Sequence, residues 1–109
     1  MGTREYLGEF EQVVLLALAR LERGGYGAAI HAEILETSGR DVSIPAVYVT
    51  LKRLETKGLV ASTTRPVTEG GRPRKVYRLE PDGHAALTRS RELLDSLWSG
   101  AKVRTGDAS

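Results

Sequence analysis

At 109 residues, with 40% hydrophobic and 28% charged side chains, the chain suits one soluble globular domain with a modest core and leaves little room for a separate catalytic or ligand domain. There is no cysteine, which excludes a disulfide framework and a thiolate metal site, and the longest apolar run, Val13 to Ala19, is too short to span a bilayer. The net charge of +2 hides an uneven distribution: residues 40–79 carry nine Lys/Arg against three Asp/Glu, whereas the flanking segments are both net acidic.

In chain order, Glu5, Glu9 and Glu11 come first, the wrong charge for a signal peptide, so a cytoplasmic location with no membrane partner is expected. The pattern predicts a first helix from Glu9 to Arg23, stopped by Gly24-Gly25. Its apolar residues, Phe10, Val13 to Leu18 and Leu21, point almost all round. A helix without a polar face is buried on more than one side, and in so short a chain the second side suggests a partner subunit. A second helix is predicted over Ala28–Ser38, with Ile30, Ile34 and Leu35 toward the core and Gly39 at its end. Asp41-Val42-Ser43 reads as a tight turn, and Ser43 as the N-cap of a third helix over Ile44–Lys57. There Ile44, Val47, Leu51 and Leu54 form one stripe, and Pro45 is tolerated in the first turn.

After Gly58, Leu59–Arg65 turns β-branched and small, as a strand does. Pro66 breaks it, Glu69–Arg74 is a basic loop, and Lys75–Leu79 alternates as a returning strand. A last helix is predicted over Pro81–Ser99, ended by Gly100, with Ala86, Leu87, Leu93, Leu94, Leu97 and Trp98 as an apolar stripe. The expected fold is mainly α with a small β-hairpin: a winged helix-turn-helix with an added C-terminal dimerisation helix. The divisions are 1–79 for the winged head, 80–99 for the dimerisation helix and 100–109 for a disordered tail.

The basic middle third coincides with the third helix and the hairpin, the two elements that a winged helix presents to DNA. On the helix, Ser43, Pro45, Ala46, Tyr48, Val49, Lys52 and Arg53 are the candidate DNA-contacting residues. Tyr48, Lys52 and Arg53 offer donors to phosphates or base edges, and Pro45 or Val49 suits a thymine methyl. On the wing, Arg65, Arg72, Arg74 and Lys75 suit phosphate tracking or minor-groove insertion. The plain alternative is a solvated basic surface with Tyr48 half-buried.

Several segments together resemble the PadR-like transcriptional regulators: Glu11–Leu18 (EQVVLLAL), Tyr26-Gly27, Val47–Val60 (VYVTLKRLETKGLV) and Tyr77–Gly83 (YRLEPDG). The resemblance covers roughly residues 8–98. It implies prokaryotic repressors that dimerise through the first and last helices and respond to small molecules. The single helix after the wing resembles the short branch of that family. Glu80 stands where the family usually has a capping threonine, so a weaker start to the last helix is expected.

The dimer interface is assigned to Phe10, Val13, Leu16, Leu87, Leu94, Leu97 and Trp98. Trp98, the only tryptophan, suits interface packing; the sharper alternative makes it, with Leu94, a platform for a small aromatic or phenolic effector. No cofactor, metal site or catalytic group is assigned. Gly70-Gly71 lacks the rest of a phosphate loop. His31 and His84, on different helices, read as surface histidines, and Ser43 lacks a base that would make it a nucleophile. The expected partners are an operator in double-stranded DNA and a second copy of the chain, with no enzymatic activity. The competing reading is a winged-helix module whose basic hairpin docks an acidic protein.

Overall fold

The computed structural model describes residues 6–66 and 71–103. Four helices, α1 (Glu9–Arg20), α2 (Gly27–Ser38), α3 (Ile44–Thr56) and α4 (Pro81–Trp98), surround a three-stranded antiparallel sheet of β1 (Gly25–Tyr26), β2 (Val60–Arg65) and β3 (Arg74–Leu79). The strand order is β1-β3-β2, so the hairpin strand β3 is central. A helix-turn-helix followed by a hairpin and a further helix is the winged architecture expected. Positions 1–5, 67–70 and 104–109, which include the Glu69-Gly70 part of the wing loop and most of the expected disordered tail, lie outside the described residues.

The core forms where α1, α2, α3 and the hairpin converge. Val14, Leu15, Leu18, Ile30, Ile34, Val47, Leu51, Leu54, Val60 and Tyr77 are buried together. Removing these side chains from water is the main stabilising term, and α1 contributes most because its apolar residues reach both α2 and α3. Two members of the expected α2 and α3 stripes are not in the core. Leu35 and Ile44 are both more than two-fifths exposed. Leu35 lies beside Ile34 on the outer side of α2, and Ile44 sits in the first turn of α3, before the helix reaches the core. Thr50 is buried on α3 instead.

The chief departure from the expected elements follows α1. The helix ends at Arg20 rather than Arg23, although Arg20 to Arg23 could continue it. Leu21 leaves helical geometry, with its N–H on the Leu18 carbonyl at 2.9 Å and its own carbonyl accepting from Gly24 N–H at 2.8 Å. Gly24 then takes a φ of +83°, which side-chain-bearing residues rarely adopt. That turn delivers Gly25 and Tyr26 alongside Tyr77 and Val76, making β1, a strand not expected from the sequence. Strand pairing thus overrides local helix preference.

The helix-turn-helix is stitched at its turn. His31, half-buried rather than a free surface residue, donates from Nε2 to the Val42 carbonyl at 2.6 Å. At the other end of the core, Glu11 accepts from Gly8 N–H at 2.9 Å and from Lys57 Nζ at 3.0 Å, joining the start of α1 to the end of α3. Burial raises the Glu11 pKa, but those two hydrogen bonds and the nearby charges of Lys57 and Arg53 outweigh it and hold the carboxyl below its ordinary value. Glu80 precedes α4 without a side-chain cap; its carboxylate turns instead to Arg78 at 3.3 Å. The weak start expected for α4 is therefore present, and Pro81 in the first turn partly offsets it.

Candidate nucleic-acid interface

Helix α3 begins with a satisfied cap: Ser43 Oγ accepts from Ala46 N–H at 3.1 Å, and Pro45 follows in the first turn. Ser43 is thus committed to structure through its hydroxyl, and Ala46 is only partly exposed. With Val47, Thr50, Leu51 and Leu54 turned inward, helical periodicity turns Pro45, Tyr48, Val49, Lys52 and Arg53 outward. Val49 is 59% exposed and Tyr48 43%. The Tyr48 ring rests against the start of α2, and a Cβ on Gly27 would run into that ring. A glycine at this position leaves room for the phenol end of the tyrosine beside α2.

The wing pairs residue by residue, with Ser62 opposite Tyr77, Thr64 opposite Lys75 and Arg65 opposite Arg74. Alternation groups Ser62, Thr64, Lys75 and Tyr77 on one face. Ser62 Oγ donates to Glu55 Oε2 at 2.8 Å, which ties that face to α3. Burial first, then the charge of Glu55 and the neighbouring Tyr48, push the Tyr77 phenol upward, so it remains a neutral group at the floor of the cleft. Arg65 and Arg74 stand directly opposite each other, an arrangement that costs a few tenths of a kcal/mol up to about 1 kcal/mol unless an anion lies between them. The Arg74 guanidinium lies 3.9 Å from the centre of the Tyr26 ring, which fixes the base of the wing to β1.

Between α3 and the wing lies a cleft of about 710 Å³, its walls including Tyr26, Tyr48, Lys52, Arg72, Arg74 and Lys75. Folding has sorted the nine cations of residues 40–79. Arg40 pairs with Glu9, Lys57 with Glu11 and Arg78 with Glu80, each with a carboxylate from a flanking acidic segment. The other six are Lys52, Arg53, Arg65, Arg72, Arg74 and Lys75. Among the described residues none of them has a carboxylate within ion-pair distance. All six lie on α3 or the wing. The sequence reading missed Tyr26 as a cleft residue. Its signals were an aromatic immediately before a helix-opening glycine and the Tyr26-Gly27 match to the family, and the position became informative once β1 paired with β3.

The model of the transcriptional regulator PadR-like family matches residues 14–89, most of the chain and all of α2, α3 and the wing. The chain belongs to the PadR-like family. Over 72 residues it is 46% identical to the transcriptional regulator Rv3488 of Mycobacterium tuberculosis, a match covering 66% of this chain and 64% of that protein. Among solved structures, a PadR family transcriptional regulator from Eggerthella lenta is similar at 30% identity and a TM-score of 0.69, over 84% of this chain and 81% of that one. A PadR family regulator from hypervirulent Clostridium difficile has the same fold at 24% identity and a TM-score of 0.71, over 84% and 93% of the two chains.

In this member of the PadR-like family a second surface lies on α1 and α4. A groove of about 420 Å³ runs between them, bordered by Leu16, Leu87, Leu94 and Trp98 with Gln12 and Arg91 at its edges. Leu16, Leu94, Leu97 and Trp98 are each 45% exposed or more, and Leu93 is 37% exposed. Of the residues assigned to a dimer interface, Phe10, Val13 and Leu87 are half-buried against the protomer's own core. Arg40 also covers Phe10, with its guanidinium 5.5 Å from the ring centre. Trp98 and Leu94, the candidate effector residues, share the groove. No helix of the described residues is long and apolar enough to cross a membrane.

Proposed function

We propose that this protein binds double-stranded operator DNA as a homodimer and acts as an effector-responsive repressor. The observation that carries the reading is the convergence on α3 and the wing of six cations that have no carboxylate partner among the described residues. Unneutralised charge on a protruding helix and hairpin is relieved by phosphates, and the counterions they release supply the affinity. In this reading α3 enters the major groove with Pro45, Tyr48, Val49, Lys52 and Arg53 at the DNA, and Ser43 and Ala46 nearest the backbone. Arg65, Arg72, Arg74 and Lys75 track the adjacent phosphates or minor groove.

Residues 1–79 form the head and 80–99 the dimerisation helix, with the tail, 100–109, outside both. The uncovered Leu16, Leu94, Leu97 and Trp98 support pairing with a second copy, because apolar side chains of that size in one patch are unfavourable in water. Two heads so joined would read a pseudo-palindrome with half-sites about 34–36 Å apart. A small aromatic or phenolic effector in the Trp98–Leu94 groove would release the operator by changing the separation of the heads. Titrating planar dyes tests this part: Trp98 fluorescence is expected to quench saturably, and an unchanged signal overturns it.

Fluorescence anisotropy on duplex DNA across a salt series tests the main reading. Binding to random duplex is expected at low salt, with a steep salt dependence, and Lys52→Ala is expected to lower the slope by about one unit. No binding at low salt, or salt-independent binding, overturns it and leaves docking of an acidic protein partner as the role of the basic hairpin.

A further inference from the structure

The arginines of this protein differ in what they leave for a partner. Arg20, Arg40, Arg78 and Arg91 each lie within ion-pair distance of a carboxylate, which offsets their charge and occupies donors. Arg74, exposed on the wing, is held in another way. Its guanidinium carbon lies over the Tyr26 ring, 3.9 Å from the centre. Among the described residues that group joins no ion pair and no hydrogen bond. A ring attracts a cation through its π-face and brings no counter-charge. Arg74 is therefore ordered while it keeps its full charge and its N–H donors. Arg40 also lies over a ring, 5.5 Å from the centre of Phe10, but it bonds Glu9 as well and is neutralised.

The Tyr26 ring is fixed by backbone on both sides. Tyr26 pairs with Val76 in the β1–β3 ladder and is the N-cap residue of α2, where its side chain makes no capping bond. Arg74 stands two residues from Val76, the diagonal position that aromatic and long side chains can bridge. One side chain thus joins the first helix of the helix-turn-helix to the wing. The same contact eases a conflict within the wing. Arg65 and Arg74 are register partners, and like charges directly opposite repel. Because β3 lies between β1 and β2, Tyr26 is on the side of Arg74 away from Arg65. The ring draws Arg74 toward β1, which leaves each guanidinium free to meet a different phosphate.

We propose that Tyr26 is a positioning residue for DNA binding, whose ring holds the Arg74 guanidinium, its charge uncancelled, ready for a phosphate beside the wing. The proposal deepens the DNA-binding reading above and rests on it. Tyr26 itself makes no contact with nucleic acid in this scheme. Its effect passes through Arg74, by removing beforehand the rotamer freedom that a long side chain loses on binding. The gain expected from such ordering is about three- to tenfold in affinity.

Fluorescence anisotropy of the full chain on random duplex DNA at low salt tests the role. Tyr26→Leu and Tyr26→Met keep apolar bulk without a ring, and each is expected to weaken binding about three- to tenfold. Tyr26→Phe keeps the ring and is expected to bind as the wild type does. With Arg74→Ala already present, Tyr26→Leu is expected to change nothing further. The salt slope supplies a second readout. Arg74→Ala should lower it by about one unit, whereas Tyr26→Leu should leave it unchanged, because the phosphate contact survives. Proton resonances of the Arg74 side chain report the stack without DNA: an upfield ring-current shift is expected in the wild type and Tyr26→Phe, and its loss in Tyr26→Leu.

Ring-less variants that bind like the wild type overturn the proposal. So does a Tyr26→Phe as weak as Tyr26→Leu, which gives the role to the hydroxyl. Costs that add in the double variant overturn it as well, by making Tyr26 a fold residue independent of Arg74. A wild type whose Arg74 resonances show no ring-current shift removes the stack itself. A wild type that binds no duplex overturns the DNA reading and the role built on it, whereas duplex binding indifferent to the ring overturns the role alone.

Discussion

The protein has two unfinished surfaces, and they lack opposite things. Among the described residues, the α3–wing face carries six cations without carboxylate partners around an open cleft, whereas the outer part of α4, with Leu16 of α1, exposes leucines and a tryptophan without cover. Charge left in water costs little and attracts an anion over several ångströms, so the first face suits a partner met in passing. Apolar area left in water is disfavoured continuously, so the second suits one that stays. On the function proposed above, the first face takes DNA and the second a second copy of the chain.

The largest expected effect comes from spoiling the apolar face alone. Leu94→Glu combined with Leu97→Glu should leave the protomer folded, because both side chains are already substantially exposed. Light scattering should then report a monomer, against the dimer expected of the wild type. Affinity for a duplex with two half-sites should fall by about 100-fold, the loss of linked binding, while weak binding to one half-site survives. A double variant that stays dimeric would remove the division of labour proposed for the two faces.

The charged face is sharpened by Gly27→Ala, which drives a methyl group into the Tyr48 ring and should cost about 1–3 kcal/mol in denaturant unfolding. Adding Tyr48→Ala should recover most of that loss, so the two changes would be strongly non-additive. Additive costs would mean that Gly27 serves something other than the tyrosine.

Between the faces, the Glu11–Lys57 pair joins α1 to α3. The Glu11 pKa is depressed in the folded protein, so its contribution is present above the ordinary carboxylate value and lost as pH falls through the lower, folded one. Glu11→Gln should therefore cost about 1–2 kcal/mol near neutral pH. Its stability curve should converge with that of the wild type on acidification below about pH 4.5. Parallel curves down to pH 2 would disconnect the pair from stability. The smallest effect is expected at Ser90, whose buried hydroxyl has no hydrogen-bond partner among the described residues. Ser90→Ala should stabilise by about 1 kcal/mol, read as a raised melting midpoint. A lowered midpoint would mean that the hydroxyl is satisfied, for instance across a dimer interface.

By itself, the sequence determined the order of the helices, the hairpin, the Ser43 cap and the exposed identity of Tyr48, Val49, Lys52 and Arg53. Periodicity, glycine stops and capping chemistry act over three or four residues, and that range is legible along a chain. It misplaced Leu35 and Ile44, because which members of an apolar stripe reach the core depends on how far the neighbouring helices extend. It did not contain β1: the strand exists only because Val76 and Tyr77 arrive beside Gly25 and Tyr26 from fifty residues away. The sorting of cations was likewise a tertiary decision. Nine positive charges in the middle third look alike in sequence, and folding neutralises Arg40, Lys57 and Arg78 against acids from both ends of the chain. Which charges remain for a partner depends on distances of a few ångströms between residues far apart in sequence, and only the folded chain sets those.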